Sequence, residues 1–419
     1  MELRGTGASS GLVSRMMCVD GVCMRRFFVV CAVVASMLTL FGCSSSGSHT
    51  AVPVASPGCS TQVDAGRQLA ERPATAAVPG QPTAVVGTAN GKWAFASVST
   101  GTGGAVAVMA LGQTSPRLVR LVSLPAALDD AFGMAMTHDG RLLVVAGFTA
   151  IAVLRVQALE DGSRDPLAGM LSDAGAGYFE VAVSGDDRYV FVTDETTGGL
   201  SVFDLATALQ HGFSAPGVAV GIVSLAYGAV GIAVSPDGQQ LYATTYGAYG
   251  PHGQLWVIDA ARAESGATGA AVLRHVAAGC QPLRVAVSPD SRTVWVTALQ
   301  SNALLAFSAA NLESNPSKAL KAVVRVGSEP VGLLLVDGGR IALVANSNRG
   351  LVTGTGSRRP QTVSVVSTAA ALDHRSALIG AVPAGLFPRD ITFDQADGRV
   401  LLANFDSDSI EEFPAPAVP

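Results

Sequence analysis

Residues 285–298 read VAVSPDSRTVWVTA: an alternating apolar run, a Pro-Asp-Ser break, then a second apolar run. Period-two alternation on both sides of a turn former predicts two antiparallel strands joined by a tight turn. The same pattern begins at Pro82, Gly133, Phe179, Val230, Leu283, Val331 and Arg389, giving seven units. Their turn anchors are Asn90, Asp139, Asp186, Asp237, Asp290, Asp337 and Asp397, spaced by 49, 47, 51, 53, 47 and 60 residues. A near-constant period of this size marks an array of like supersecondary units. In most units Gly follows the anchor, the short-range hairpin signal that exploits its tolerance of positive φ.

Each unit continues with a third alternating run, such as AIAVLRV from Ala150 or TVSVVS from Thr362, and a weaker fourth, such as AVVRVG from Ala322. Four short antiparallel strands repeated seven times predict an all-β, seven-bladed β-propeller. A single four-stranded sheet cannot cover its own faces, and radial stacking lets neighbouring blades cover each other's. The chain stops soon after the third strand of the seventh unit, while residues 72–79 (RPATAAVP) precede the first as a spare segment. The count closes only if this N-terminal segment supplies the last blade's outer strand. DAGRQLAE, residues 64–71, leans towards helix and is expected just outside the ring.

The units resemble the YVTN β-propeller repeat, whose pattern is Gly-x-x-Pro, Val-Ala-x-Ser-Pro-Asp-Gly, a Tyr-Val-Ala-Asn strand and Val-Ser-Val-Ile-Asp. Gly279-Cys280-Gln281-Pro282, Gly327-Ser328-Glu329-Pro330 and Gly385-Leu386-Phe387-Pro388 match the first part. Val344-Ala345-Asn346 and Leu402-Ala403-Asn404 match the third, and Leu255-Trp256-Val257-Ile258-Asp259 the last. The resemblance spans about residues 72–414 and lacks the Gly-His and Trp-Asp marks of WD repeats. It implies the fold and leaves activity open, since such relatives include lactonases, cofactor-bearing enzymes and binding proteins.

The N-terminus follows another logic. Arg25 and Arg26 precede an apolar stretch, Phe27 to Leu40, which is short for a membrane span and suits a signal peptide. It ends in Leu40-Phe41-Gly42-Cys43, which resembles a bacterial lipobox and implies lipidation of Cys43; an ordinary secretory signal is the alternative. The expected domains are therefore residues 1–42 as n-region and lipoprotein signal, 43–63 as a Ser/Pro/Gly/Ala-rich flexible tether, and 64–419 as the propeller. The expected location is the cell envelope, anchored to a membrane and facing the periplasm or the exterior. Beside Cys43, only Cys59 and Cys280 lie outside the signal segment, and two thiols in an oxidising compartment are candidates for a disulfide. The ring weighs against that pair. Cys280 belongs at the rim where the innermost strands begin and Cys59 ahead of a strand starting at the opposite rim, a span a dozen residues cover only when extended to roughly 40 Å. The alternative is a buried Cys280 in place of a small residue.

Composition narrows the chemistry. Charged residues are 14% of the chain, net charge is −5, and the lysines are Lys92, Lys318 and Lys321. No basic field exists to draw nucleic acid by counterion release. The six histidines, at 49, 138, 211, 252, 275 and 374, show no metal-ligand spacing. No cofactor or metal is expected. A lactonase-type hydrolase resembling the seven-bladed phosphogluconolactonase family would work at the central channel, where Glu180, Arg284, Arg389 and Asp390 start innermost strands and Asn404 and Asp406 end a second strand. Arg389 is followed by Asp390 where those enzymes tend to carry His. Two long connections between second and third strands offer a different surface. YGAYGPHGQ (246–254) carries Tyr246, Tyr249 and His252, and SNRGLVTGTGSRRPQ (347–361) carries Arg349, Arg358 and Arg359. Aromatic and arginine side chains on long rim loops suit contact with a saccharide or an envelope protein. The expectation is a monomeric, non-catalytic binding or scaffolding protein, with the lactonase as alternative.

Overall fold

The computed structural model describes residues 17–19, 22–24, 56–112, 115–174, 177–247, 252–348 and 361–416. Residues 25–43, which include the apolar stretch and Cys43, and Tyr249, Arg349, Arg358 and Arg359 lie outside the described residues. Within residues 1–49, a unit of its own, Met17–Val19 pairs antiparallel with Val22–Met24.

Residues from Ser56 onwards form seven sheets of four antiparallel strands. The innermost strands are Gln81–Gly87, Met134–Met136, Tyr178–Val183, Ala229–Val234, Pro282–Val287, Pro330–Val336 and Pro388–Asp394, for blades 1 to 7. Each touches the next around the ring, and the seventh touches the first. Closure comes from the N-terminal segment. Ala74–Ala77 pairs antiparallel with Ser409–Pro414, Ala74 opposite Glu412 and Ala77 opposite Ser409. The seven-bladed propeller with its N-terminal closing strand is thus the observed fold.

Burial explains why middle strands read as continuous apolar runs. In Thr293–Ala298 and Ala303–Ser308, Val294, Val296, Leu305 and Phe307 pack with Tyr242, Leu255 and Val257 of blade 4. The alternate residues Trp295, Leu304 and Ala306 pack with Ala342 and Val344 of blade 6. A strand sandwiched between neighbouring sheets is buried on both faces, and each large aliphatic or aromatic side chain so buried contributes about 1.5–3 kcal/mol.

The rim holding the turns between first and second strands (the lower rim) repeats one local device. Ser235 Oγ donates to Asp237 Oδ1 at 2.6 Å, the same carboxylate accepts from Gln239 N at 3.1 Å, and Gln240 N donates back to Ser235 Oγ at 2.9 Å. Thr88 with Asn90, Thr137 with Asp139, Ser184 with Asp186 and Ser288 with Asp290 make the same set. Blades 6 and 7 depart from it. Asp337 opens a 3-10 turn, and in blade 7 Asp394, not Asp397, caps Ala396 N at 2.9 Å. Neither has Ser or Thr two positions before its anchor, so the reciprocal bond cannot form.

The Asp that ends the third-strand motif proves to be a helix cap. Asp204 and Asp259 accept from Thr207 N and Arg262 N at 2.8 and 2.9 Å, starting the short helices Leu205–His211 and Ala260–Glu264. The pattern of alternation gave no sign of these helices.

The segment ahead of the closing strand differs from expectation. Residues 64–71 form no helix, and residues 56–63 are tied down instead of forming a free tether. Gly279 N donates to Ser56 Oγ at 2.5 Å, Ser60 N to Gln300 O at 2.9 Å, Asn302 Nδ2 to Ser60 O at 2.7 Å and Asp64 N to Val326 O at 2.8 Å. Gln68 then bridges Ala381 in parallel on the outer strand of blade 6. Side-chain and backbone groups of blades 4, 5 and 6 satisfy this strap's polar groups, which an isolated helix of eight residues could not do. Because the strap runs across blades 5 and 6 towards blade 7, Cys59 lies beside Cys280, and the two are disulfide-bonded with Cα atoms 5.3 Å apart. The closing strand does begin towards the opposite rim, as its antiparallel pairing with Ser409–Pro414 requires, but the strap that leads to it first passes Cys280.

Candidate functional site

The upper rim carries the starts of the innermost strands and the connections between second and third strands. Its Gly-x-x-Pro segments share a left-handed residue before proline: Gln281 (φ 51°), Glu329 (φ 54°) and Phe387 (φ 49°). Each carbonyl accepts a backbone bond from the residue opening the next connection, from Leu299, Ser347 and Phe405 at 2.8–2.9 Å. The motif is a structural corner that aims the following residues into the channel. Second-strand hydroxyls add stitches between blades. Thr297 Oγ1 accepts from Arg284 N at 3.0 Å and donates to Val331 O of blade 6 at 2.9 Å. Ser97, Thr193 and Thr244 do the same between blades 1 and 2, 3 and 4, and 4 and 5.

From that frame Glu180, Arg284, Arg389 and Asp390, on blades 3, 5 and 7, form one cluster. Arg284 Nη2 lies 2.9 Å from Glu180 Oε2, with side-chain exposures of 9% and 13%. Asp390 Oδ2 accepts from Val85 N of blade 1 at 2.9 Å, joining the last blade to the first. Arg389 is 1% exposed. Its Cζ stands 5.4 Å from the Phe179 ring centre and 5.3 Å from that of Phe405, and Arg284 Cζ is 5.6 Å from Phe179. Phe132 stacks on Phe179 at 5.9 Å, and Phe387 lies 5.2 Å from Phe405. Two guanidinium groups, two carboxyls and four rings cross this end of the channel.

Burial dominates the electrostatics. It pushes the Glu180 carboxyl up to about 7, the Arg284 cation pulls the other way, and the Asp390 charge adds to the rise. Burial also raises Asp390, against the cations of Arg284 and Arg389 and the Val85 N–H. Asp130, bonded to Ser99 Oγ at 3.2 Å, is raised by burial too and feels the Arg389 charge. The cluster can hold a proton near neutrality, but Arg284 already faces Glu180 and the Phe179 ring, and Arg389 lies against the Phe179 and Phe405 rings.

Other candidates separate. Tyr246 is not a rim contact: it is 6% exposed, and its hydroxyl donates to Glu195 Oε1 at 2.6 Å. Aromatic packing against Tyr227 at 6.1 Å and the close approach of Gly228 hold it inside. His252 is exposed, opens the third strand of blade 4 and sits with Nδ1 3.8 Å from Cys280 Sγ. Asn404 is fully buried in its turn, and Asp406 is exposed with its N–H given to Leu386 O. Among the described residues no group of three or more His, Cys, Asp or Glu side chains could hold a metal. The reading of residues missed Asp130, the four phenylalanines and the hydroxyl stitches. Thr193 in VTD, Thr244 in ATT and Thr297 in VTA, each in a second strand, were a signal for the last.

The fold and this rim define a seven-bladed β-propeller with a buried polar-aromatic cluster where its innermost strands begin. Solved structures of that architecture match the chain. Hydrazine synthase of Kuenenia stuttgartiensis aligns with a TM-score of 0.62 at 15% identity, over 81% of this chain and 97% of that one. The β-propeller domain of Cps50 (Swd1) from Myceliophteria thermophila aligns with a TM-score of 0.59 at 12% identity, over 83% and 100%. At such identities the likeness concerns the fold alone. No protein-family model and no curated protein matches the sequence.

Proposed function

We propose that this chain is an exported, lipid-anchored member of the YVTN-repeat propellers, acting as a monomeric, non-catalytic binding scaffold of the cell envelope. The observation that carries the reading is the channel cluster. Glu180, Arg284, Arg389 and Asp390 neutralise one another and are packed against rings, as groups that hold blades together are, whereas a catalytic acid or base needs access to substrate. The Cys59–Cys280 bond supports an oxidising compartment, and the lipobox-like Cys43 supports a membrane anchor. The partner, an envelope protein or a saccharide, would meet the upper rim; Arg358 and Arg359, outside the described residues, belong to the sequence between the second and third strands of blade 6.

One feature favours the rival lactonase-type hydrolase: a Glu180 carboxyl poised near neutrality suits a general base. The two readings part in one experiment on the purified chain. Arg358→Ala with Arg359→Ala should abolish capture of the envelope partner and leave sugar- and aryl-lactone turnover at background. Lactone opening that survives this change but vanishes in Arg389→Ala with Asp390→Ala would replace the scaffold by the hydrolase.

A further inference from the structure

Among the described residues four large aliphatic side chains stand exposed: Val63, Leu209, Val323 and Leu372, at 48%, 51%, 42% and 37%. Three of them flank one groove. It has a volume of about 340 Å³ and runs between the outer strand of blade 5 and the short helix of blade 6, lined by Asp64, Val323, Arg325, Ala371 and Arg375 among others. Val63 adjoins Asp64 on the strap, and Leu372 adjoins Ala371 at the end of the helix Thr368–Leu372. Lys318 and Lys321, two of the chain's three lysines, are exposed on the same blade 5 edge, as is Arg375 beside Leu372. Acids share the region: Asp64 accepts from Gly66 N at 3.0 Å, Glu313 accepts from Gln240 at 3.1 Å, and Asp373 pairs with Arg375 at 2.9 Å, so Lys318 and Lys321 carry the positive character of the edge.

We infer that this flank, Val63, Val323 and Leu372 with Lys318 and Lys321, is the face the propeller lays against an anionic bilayer surface. The inference rests on the lipid-anchor reading of Cys43 and extends it to an orientation. Thirteen residue steps separate Cys43 from Ser56, so the lipid lies within roughly 45 Å of the point where the strap docks. That docking point belongs to blades 4 and 5, beside the flank. Aliphatic side chains beside two exposed lysines fit the boundary between acyl chains and anionic headgroups, and the acyl chain already confines the protein there. A flank made of outer strands has a geometric consequence. The ring stands edge-on, its channel axis parallel to the membrane, and both rims stay open to partners.

The test uses the full lipidated chain in vesicles of phosphatidylethanolamine and phosphatidylglycerol. An environment-sensitive fluorophore is placed at Val323→Cys, at Leu372→Cys or, as control, at Leu209→Cys on the helix of blade 3. Quenching by a lipid-borne quencher is expected to be at least threefold stronger at 323 and 372 than at 209. It should fall in vesicles of phosphatidylcholine alone and in Lys318→Glu with Lys321→Glu. Equal quenching at all three sites in a chain that carries lipid overturns the orientation and leaves the anchor standing. A chain without lipid on Cys43, read by mass spectrometry, overturns both. Shielding of residue 323 that grows with protein concentration without vesicles assigns the flank to a second copy and overturns the membrane reading.

Discussion

On the lower rim Ser235, Asp237 and Gln240 complete a turn within six residues, whereas on the upper rim Arg284 meets a carboxylate, Glu180, more than a hundred positions earlier in the chain. Five blades repeat the lower device with only Ser/Thr and Asp/Asn exchanged. The channel cluster on the upper rim does not repeat: one blade contributes a cation, another a ring, another a carboxyl. Local polar turns can be copied because their partners travel with them. Cross-ring contacts cannot, since each needs a different residue on a different blade.

If the rims are built so differently, they should fail differently. Replacing Arg284 by Met leaves two buried carboxyls short of a cation and should cost about 3–5 kcal/mol near pH 8, read by urea unfolding. At pH 5 the loss should shrink, because Glu180 then carries its own proton. Removing the Cys59–Cys280 bond by paired Ser substitutions opens a loop spanning 221 positions and should cost about 2–5 kcal/mol. Adding reductant to the native chain should reproduce that loss.

The next effect is one of slope. Glu180 keeps a proton in the folded chain up to about 7, while in the unfolded chain it releases it near the ordinary 4.5. Between those values the folded state binds more protons, so Glu180's contribution to stability is full below pH 4.5 and is lost as pH rises towards 7. Glu180→Gln should flatten that part of the pH–stability curve. A curve of unchanged slope would show that Glu180 does not titrate there.

On the lower rim Ser235→Ala should cost about 1 kcal/mol, and Ser288→Ala the same, because each removes one copy of one device. Asp187→Gly is the smallest test. Asp187 holds a left-handed position (φ 59°) where five other blades have Gly and blade 5 has Ser291, and accepts from His138 N and Asp139 N of blade 2 at 2.7 and 2.9 Å. Relief of backbone strain and loss of these bonds oppose one another, so the net change should stay within about 0.5 kcal/mol. A loss above about 2 kcal/mol would show that the lower rim, too, depends on contacts between blades.

What could be read from the chain follows the same division. The seven anchors located the blades because a hairpin needs its turn former in place, and residues 72–79 were legible as the closing strand because the strand count left one missing. Asp337 and Asp397 show the limit of that reading. Both align by spacing, yet neither makes the Ser/Thr–Asp bond pair. Glu180, Arg284, Arg389 and Asp390 were found by their offset from the innermost strands, but their mutual neutralisation was not. Tyr246 read as a loop aromatic and proved to be core, since its partner Glu195 lies some fifty positions away.

The amino-acid sequence by itself determined the number of blades, the strand order within each and the use of the N-terminus to close the ring. Those properties depend on alternation, turn chemistry and counting, all carried by neighbours along the chain. Only the tertiary structure decided which charges meet across the channel, that the strap passes Cys280 on its way to blade 7, and which side chains the flank leaves uncovered. Closing a ring brings distant residues together at distances set by the packing of all seven blades, and no local pattern encodes that sum.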